Sequence, residues 1–466
     1  MIKYKVYTLG CKVAQAEGMQ LKSLLNKFGC FEANAGETPD LCLVNTCAVT
    51  STAAGKSRRL LRKLARQYPK TKILFLGCYA SLADASLISS IPQIVVSADH
   101  CQGIFSAVEN FLSLCATGKG LLPDSYNNYN NNNDNISNLF PASNIKHVFT
   151  SKVKNKFSSS RHRAFLKIQD GCDAMCSYCI IPQLRPKLSS VNIADVIKQA
   201  QELIDASHKE IVLCGIFLGA YGRKTAKRSR IKNNNDCLSE LIKKLTKLSG
   251  LQRIRLSSIE PLDLTDKLLG ILAESDKTAG HLHLPLQSGS DTILRRMARQ
   301  YRKDEYLQAI ERIKKYIPDV ALTTDIIVGF PGETEEDFQE TLNLCHQIGF
   351  LKIHIFPFSP RKGTPAYRWK EQMPDAKVIK DRLNRLHTLE AELRSKYCHQ
   401  FEGKTVRVLV EHTEQRSDIW KCVGRADQYF KVQFNAEENL DNELVAVTIT
   451  KAGEEPLLGK LKRIYK

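Results

Sequence analysis

Short apolar, β-branched runs alternate with segments of helical period along most of this chain, and that alternation limits its fold more than any other feature. YKVYTL (4–9), LCLVN (41–45), ILFLGC (73–78) and QIVVSA (93–98) read as strands. Between them lie AEGMQLKSLLNKFG and KSRRLLRKLARQ, the second a basic helix in which Leu60, Leu61 and Leu64 share one face. Strands separated by helices imply a parallel sheet with helices on both faces. Residues 1–115 are therefore expected to form a small doubly wound α/β domain.

The same pattern resumes after residue 158. FLKIQDG (165–171), EIVLCG (210–215), RIRLSS (253–258), HLHLPLQ (281–287), LTTDIIVGF (322–330) and KIHIFPF (352–358) read as strands, with DVIKQAQELIDA, DTILRRMARQ and EEDFQETLNLCHQIG as intervening helices. Six βα units in series predict a partial (β/α) barrel over 158–400, with its active centre at the C-terminal ends of the strands. A long helical region occupies about 374–400. The tail, 403–466, changes character: KTVRVLVEH, KCVGRAD, FKVQFN and LVAVTIT are strand-like runs between turns, as in a small β-barrel. Residues 116–157 are rich in Asn, with little periodicity, and read as a linker or insertion.

Forty-three per cent hydrophobic residues in 466 is ample for several cores. No apolar run approaches a membrane span of about 18–20 residues, and the N-terminus lacks the layout of a signal peptide, so the expected location is the cytoplasm. Fifteen cysteines without such a signal argue for a reducing compartment in which thiols serve metals or redox chemistry. Most need do neither: Cys30, Cys42, Cys101, Cys115, Cys214, Cys237, Cys345, Cys398 and Cys422 are expected to be small buried hydrophobes.

The formal charge of +19 is unevenly distributed. Three acid-free stretches, 51–72, 135–169 and 221–235, carry eight, seven and six Lys or Arg, while the remaining 47 basic residues face 49 acidic ones. A single basic run is as readily a solvated face as a binding surface. Three together favour a polyanionic partner, RNA or DNA, because each phosphate neutralised releases condensed counterions.

Two cysteine patterns carry chemistry. QDGCDAMCSYCIIP (169–182) holds Cys172, Cys176 and Cys179 as C-x₃-C-x₂-C directly after the first barrel strand. Three thiolates on a [4Fe-4S] cluster leave one iron open to a substrate or cofactor. A zinc site would need a fourth ligand, for which Asp173 is nearest, and this spacing is unusual for zinc. Cys11, Cys47 and Cys78 are dispersed, yet each follows a predicted strand of the first domain within about two residues, in YTLGC, LVNTC and FLGC. The C-terminal ends of such strands gather along one edge, where these sheets bind ligands. Three independent buried thiols are the plain alternative; convergence into a second three-thiolate site is the sharper one.

These residues resemble the radical S-adenosylmethionine methylthiotransferases. The likeness rests on TLGCK (8–12), NTCAVT (45–50), GCYA (77–80), CDAMCSYCIIP, LHLPLQSGSD (282–291), DIIVGFPGET (325–334) and SPRKGTPA (359–366), and covers nearly the whole chain outside the Asn-rich stretch. LGCK and FLKIQDGCD are most similar to the branch that modifies N6-threonylcarbamoyladenosine at position 37 of tRNA, beside the anticodon. The resemblance implies a cluster-binding N-terminal domain, a radical S-adenosylmethionine barrel, and a C-terminal TRAM module that holds RNA.

It further implies two [4Fe-4S] clusters, one on Cys172, Cys176 and Cys179 that binds S-adenosylmethionine, the other on Cys11, Cys47 and Cys78 that supplies or carries sulfur. Partners would be tRNA and an electron donor such as a flavodoxin or ferredoxin. Tyr178 is a candidate to pack on the cofactor adenine or to shield the cluster, and Gly215, Gln287 and Asp325 are candidate cofactor contacts or structural residues. GFPGET looks like a phosphate loop, though Thr334 with Asp337 reads better as a helix cap. Departures from the family pattern fall at Ala14, Ala16, Phe217, Pro186 and Val191, and bear on efficiency and substrate choice. The alternatives are methylthiolation of another tRNA adenosine derivative or of a ribosomal protein residue, and a non-catalytic iron–sulfur RNA-binding protein.

Overall fold

The computed structural model describes residues 2–83, 85–92, 94–96, 108, 162–230 and 236–465. The Asn-rich stretch, Cys101 and Cys115 lie outside them. Among the described residues, those before Ser158 together with Gln183–Arg185 form one compact unit, and the remainder form a second.

In the first unit β1 (Lys3–Thr8), β2 (Phe31–Glu32), β3 (Leu41–Thr46), β4 (Lys72–Gly77) and β5 (Ile94–Val96) make a parallel sheet in the order β2-β1-β3-β4-β5. Every residue of β3 is buried, as is nearly all of β4, which is why both read as continuous apolar runs. β2 escapes a reading by pattern because its two residues are exposed and carry no periodicity. Helix α1 (Lys12–Lys27) buries Leu21, Leu24 and Leu25 against Tyr4, Leu43 and Leu74. Helix α2 (Ser51–Gln67) starts where Thr50 Oγ1 accepts from Ala53 N at 3.1 Å, and buries Leu61 and Leu64 while Leu60 is half-buried.

In the second unit six parallel strands follow one another: β6 (Arg163–Lys167), β7 (Glu210–Cys214), β8 (Arg253–Leu256), β9 (His281–His283), β10 (Ala321–Val328) and β11 (Lys352–Pro357). Bridges from Ile254 to Thr278 and Ser258 to His283 join the two three-stranded halves into the expected partial barrel. A helix spans Ala376–His399. The chain then forms a closed barrel of β12 (Thr405–Arg416), β13 (Ile419–Ala426), β14 (Lys431–Ala436), β15 (Leu444–Lys451) and β16 (Leu457–Ile464). Strand β16 was not legible in the sequence: LLGKLKRI buries only Leu457, and its other side chains are exposed or partly so.

The small barrel closes the N-terminal end of the parallel strands. Glu210, Arg253 and His281 are the first residues of β7, β8 and β9. Arg253 Nε donates to Glu210 Oε2 at 2.7 Å and its Nη1 to Asp427 Oδ1 at 2.8 Å, while Arg255 Nε reaches Glu210 Oε1 at 2.9 Å. Tyr429 stacks on His281 with ring centroids 4.5 Å apart. Burial alone would raise the Glu210 pKa, but the guanidinium groups of Arg253, Arg255 and Arg163 outweigh it and hold the carboxyl well below its ordinary range. With that end sealed, the C-terminal strand ends remain for chemistry.

Candidate functional site

The first unit gathers Cys11, Cys47 and Cys78 at one sheet edge. They follow β1, β3 and β4, and the strand order reverses direction between β1 and β3, the switch point where open α/β sheets form a crevice. Gly10 (φ +143°) passes so close to Cys47 that a Cβ built on it would lie 2.6 Å from Cys47 Cβ and 3.5 Å from its Sγ. Cys47 and Cys78 are buried and Cys11 is the exposed member. Desolvation by its neighbours is still the largest influence on the Cys11 thiol, raising its pKa, with Cys47 second. Burial also raises Cys78, against the pull of Arg185.

That pull comes from a buried polar set that sequence reasoning left incomplete. Arg185 Nε donates to Cys78 Sγ at 3.4 Å, and its Nη1 and Nη2 donate to Glu17 Oε1 and Oε2 at 2.9 and 3.3 Å. Asn45 Nδ2 donates to Ala14 O at 3.1 Å and to Glu17 Oε2 at 3.4 Å. Ala14 and Ala16, like Glu17, are buried in α1. Glu17 gives no signal in the sequence, where it is one acidic residue in a helix.

In the second unit the cysteine loop leaves β6 through Gln169, Asp170 and Gly171. Gly171 has φ +79°, and a Cβ there would sit 1.9 Å from Lys187 O, so only glycine fits immediately before Cys172. Gln169 clamps the turn: its Oε1 accepts from Phe217 N at 2.8 Å, and its Nε2 donates to Asp170 O and Gly171 O at 2.9 and 2.8 Å. Burial pushes the Cys172 thiol up to about 12, with Cys176 and Cys179 adding to it, although Ala174 N donates to Cys172 Sγ at 3.4 Å. Thiolates in such a place require positive charge beside them. Asp173, the nearest fourth ligand for zinc, is occupied instead: its carboxylate accepts from Thr225 Oγ1 and Ala226 N, both at 2.6 Å.

Cys176 has a cation next to it that the sequence reading missed. Arg299 Nη1 donates to Cys176 Sγ and to Tyr178 OH, each at 3.5 Å, and Arg299 Nη2 donates to Glu260 Oε2 at 2.5 Å. Burial, and then neighbouring Cys176 and Cys179, hold Tyr178 protonated against the attraction of Arg299, and its ring packs with Ile293, Met297 and Phe330. Phe217 packs around Cys172 and Ala174.

The other candidates fall into two groups. Gly215 and Gln287 lie at C-terminal strand ends. A Cβ on Gly215 would meet Gln169 Oε1 at 2.9 Å, so the absence of a side chain there is a packing requirement. Gln287 is buried with φ +69°, a strained backbone for a residue other than glycine, held by its N–H to Asp325 O at 2.8 Å and by Ile327 N to its own carbonyl at 3.0 Å. Asp325 lies deeper, its Oδ2 3.2 Å from His283 Nε2, while His283 Nδ1 is 2.9 Å from Thr323 Oγ1.

Among the described residues, only His283, Asp325 and His354 bring three ligand atoms within 4.8 Å of one another. Both ring nitrogens of His283 are engaged, so this set reads as a hydrogen-bonded polar layer. Neither cysteine trio is that tight. Thr334 caps its helix as expected, with Oγ1 accepting from Asp337 N at 3.2 Å and Asp337 Oδ2 accepting from Thr334 N at 3.0 Å.

Residues 166–345 match the family model described as the radical SAM superfamily, and residues 3–98 match one described as uncharacterized protein family UPF0004. The chain is 37% identical over 461 residues, 98% of its own length and 96% of the other's, to the threonylcarbamoyladenosine tRNA methylthiotransferase MtaB of Bacillus subtilis. It is 34% identical to the protein of the same name from Chlamydia pneumoniae, with 98% of each chain covered. A tRNA-2-methylthio-N(6)-dimethylallyladenosine synthase from Thermotoga petrophila is 30% identical over 99% of this chain and 97% of its own. No described helix is long and apolar enough to cross a membrane.

Proposed function

Because the chain belongs to the radical S-adenosylmethionine methylthiotransferase family, we propose that it methylthiolates carbon 2 of N6-threonylcarbamoyladenosine in tRNA, beside the anticodon. The observation that carries this reading is the pair of separate cysteine sets. A loop of Cys172, Cys176 and Cys179 serves any radical enzyme of this kind; a second set at the switch point of another sheet, Cys11, Cys47 and Cys78, is what a sulfur-inserting enzyme adds. The choice of nucleoside follows the relatives named for threonylcarbamoyladenosine, at 37% and 34% identity against 30% for one named for dimethylallyladenosine.

The residues fit a [4Fe-4S] cluster in each place. Each set offers three thiols, and each has N–H donors aimed at sulfur: Ala174 N and Arg299 beside the loop cysteines, Arg185 at the sheet edge. When bound, such clusters with S-adenosylmethionine supply the radical that takes hydrogen from carbon 2 and the sulfur that replaces it. The chain's own share is positional. Gln169 and Gly171 fix the loop that presents Cys172; Arg299 sets positive charge beside Cys176; Glu17 and Asn45 hold Arg185 against Cys78. Tyr178, Gly215, Gln287 and Asp325 are assigned to the cofactor's surroundings, the first as a protonated, apolar shield. A flavodoxin- or ferredoxin-like protein in the cytoplasm would deliver electrons.

Nucleoside mass spectrometry of tRNA from cells with and without the protein tests substrate and reaction together. The 2-methylthio form of threonylcarbamoyladenosine should disappear with the gene and return on complementation. Its persistence, or loss of the dimethylallyladenosine derivative instead, would refute the assignment.

A further inference from the structure

We propose that the exposed face of α2 is the phosphate-binding surface that holds the RNA substrate on the N-terminal unit. The proposal rests on the reading that the substrate is tRNA, and adds where the polyanion is gripped. By sequence the three acid-free basic stretches are equivalent; the structure separates them. In 221–235, Arg223 and Arg228 are both drawn to Asp263, at 2.7 and 3.4 Å. In 135–169, the described Arg163 pairs with Glu411 at 2.8 Å and Lys167 with Asp170 at 2.7 Å. In the C-terminal barrel, which the family likeness would make the RNA-binding module, three arginines are engaged, Arg407 with Asp427, Arg425 with Glu411 and Arg416 with Glu414, and the exposed Lys460, Lys462 and Arg463 at its last strand form a shorter basic group than that on α2.

Helix α2 is different. Lys56, Arg58, Arg59, Arg62, Lys63 and Arg66 lie on it with no acidic residue among them, and none makes an ion pair with a carboxylate of the described residues. Lys56, Arg59, Arg62, Lys63 and Arg66 are exposed. Lys56, Arg59, Lys63 and Arg66 recur at spacings of three and four, forming one stripe about 15 Å long. The opposite face, Ala54, Ser57, Leu61 and Leu64, is buried, so this is not an amphipathic helix with an apolar side free to enter a lipid surface.

Arg58, the inward member, ties the stripe to the sulfur site. Its Nη1 donates to Tyr79 OH at 2.9 Å and its guanidinium lies 5.9 Å from the ring, beside Cys78 in sequence, while the helix itself begins shortly after Cys47. Like charges at this spacing on one helix oppose one another. Phosphates relieve this repulsion on binding and release counterions.

The test measures tRNA affinity of the full-length, cluster-loaded protein across a salt series. In the Lys56→Gln/Arg59→Gln/Lys63→Gln/Arg66→Gln variant, the slope of log Kd against log salt should fall by about 3, and affinity near 0.1 M salt should weaken at least about tenfold. Arg59→Lys/Arg66→Lys should keep the wild-type slope, and iron content with the melting curve reports that the fold is intact. Lys460→Gln/Lys462→Gln on the C-terminal barrel should change the slope less. An unchanged slope in the fourfold variant, with tRNA still bound by the wild type, would overturn this proposal alone. A wild-type protein that bound no tRNA would overturn the substrate reading with it.

Discussion

Arg185 and Glu17 form a bidentate pair with both side chains buried, at 2.9 and 3.3 Å, and the third guanidinium nitrogen of Arg185 donates to Cys78 Sγ at 3.4 Å. A charge so placed is tolerated only with its partner. Arg185→Met should therefore destabilise the protein by about 3–5 kcal/mol by stranding Glu17. Arg185→Met combined with Glu17→Gln should recover most of that loss. Urea denaturation of the three proteins checks the claim, which fails if single and double variants are equally unstable.

The two cysteine sets should be separable. Reconstituted wild-type protein should hold about eight irons and eight sulfides, and about four of each when Cys47 is replaced by Ala. Cys47→Ala should still cleave S-adenosylmethionine reductively but form no thiolated nucleoside, whereas Cys172→Ala should lose cleavage itself. Thiolation surviving in Cys47→Ala would contradict the sulfur-transfer role.

Gly171→Ala should be poorly tolerated although it adds one methyl group. The φ of +79° disfavours any side chain, and the new Cβ would lie 1.9 Å from Lys187 O, so loop or backbone must move. A loss of roughly 2 kcal/mol or more, together with reduced iron in the Cys172 site, is expected from melting curves and iron analysis. A wild-type melting temperature would show that the loop is not held as described.

Glu210 sets an acid limit on stability. Its folded-state pKa is depressed below the ordinary 4.5, so its contribution is present above pH 4.5 and is lost as pH falls through the folded value. Glu210→Gln should lower stability at neutral pH by about 3–5 kcal/mol through the stranded Arg253 and Arg255. The variant should also show a shallower loss of stability below pH 4.5 than the wild type. Equal slopes on the acid side would remove Glu210 from the account.

Much of the architecture was legible because local pattern and burial agree in it. Strands β3 and β4 are buried on both faces, so their apolar runs announced them, and Leu61 and Leu64 marked the inner face of α2. Cys172, Cys176 and Cys179 lie in one short loop, where spacing carries the message; Cys11, Cys47 and Cys78 could be grouped because parallel strands bring their C-terminal ends to one edge. Strands β2 and β16 stayed hidden since their exposed side chains leave no hydrophobic period.

What the chain order could not reveal is which charges meet. Arg253 and Arg255, in a run that reads as an ordinary strand, are buried against Glu210 and a turn some 170 residues away at Asp427. Arg299 reaches Cys176 across 123 positions, and Arg185 reaches Cys78 across 107. Periodicity records how each residue faces its own element, and so specifies strands, helices and the ends at which cysteines collect. The pairing of ions depends on distances that exist only once those elements have packed. For that reason tertiary structure alone distinguished neutralised arginines from the stripe on α2, which meets no carboxylate among the described residues.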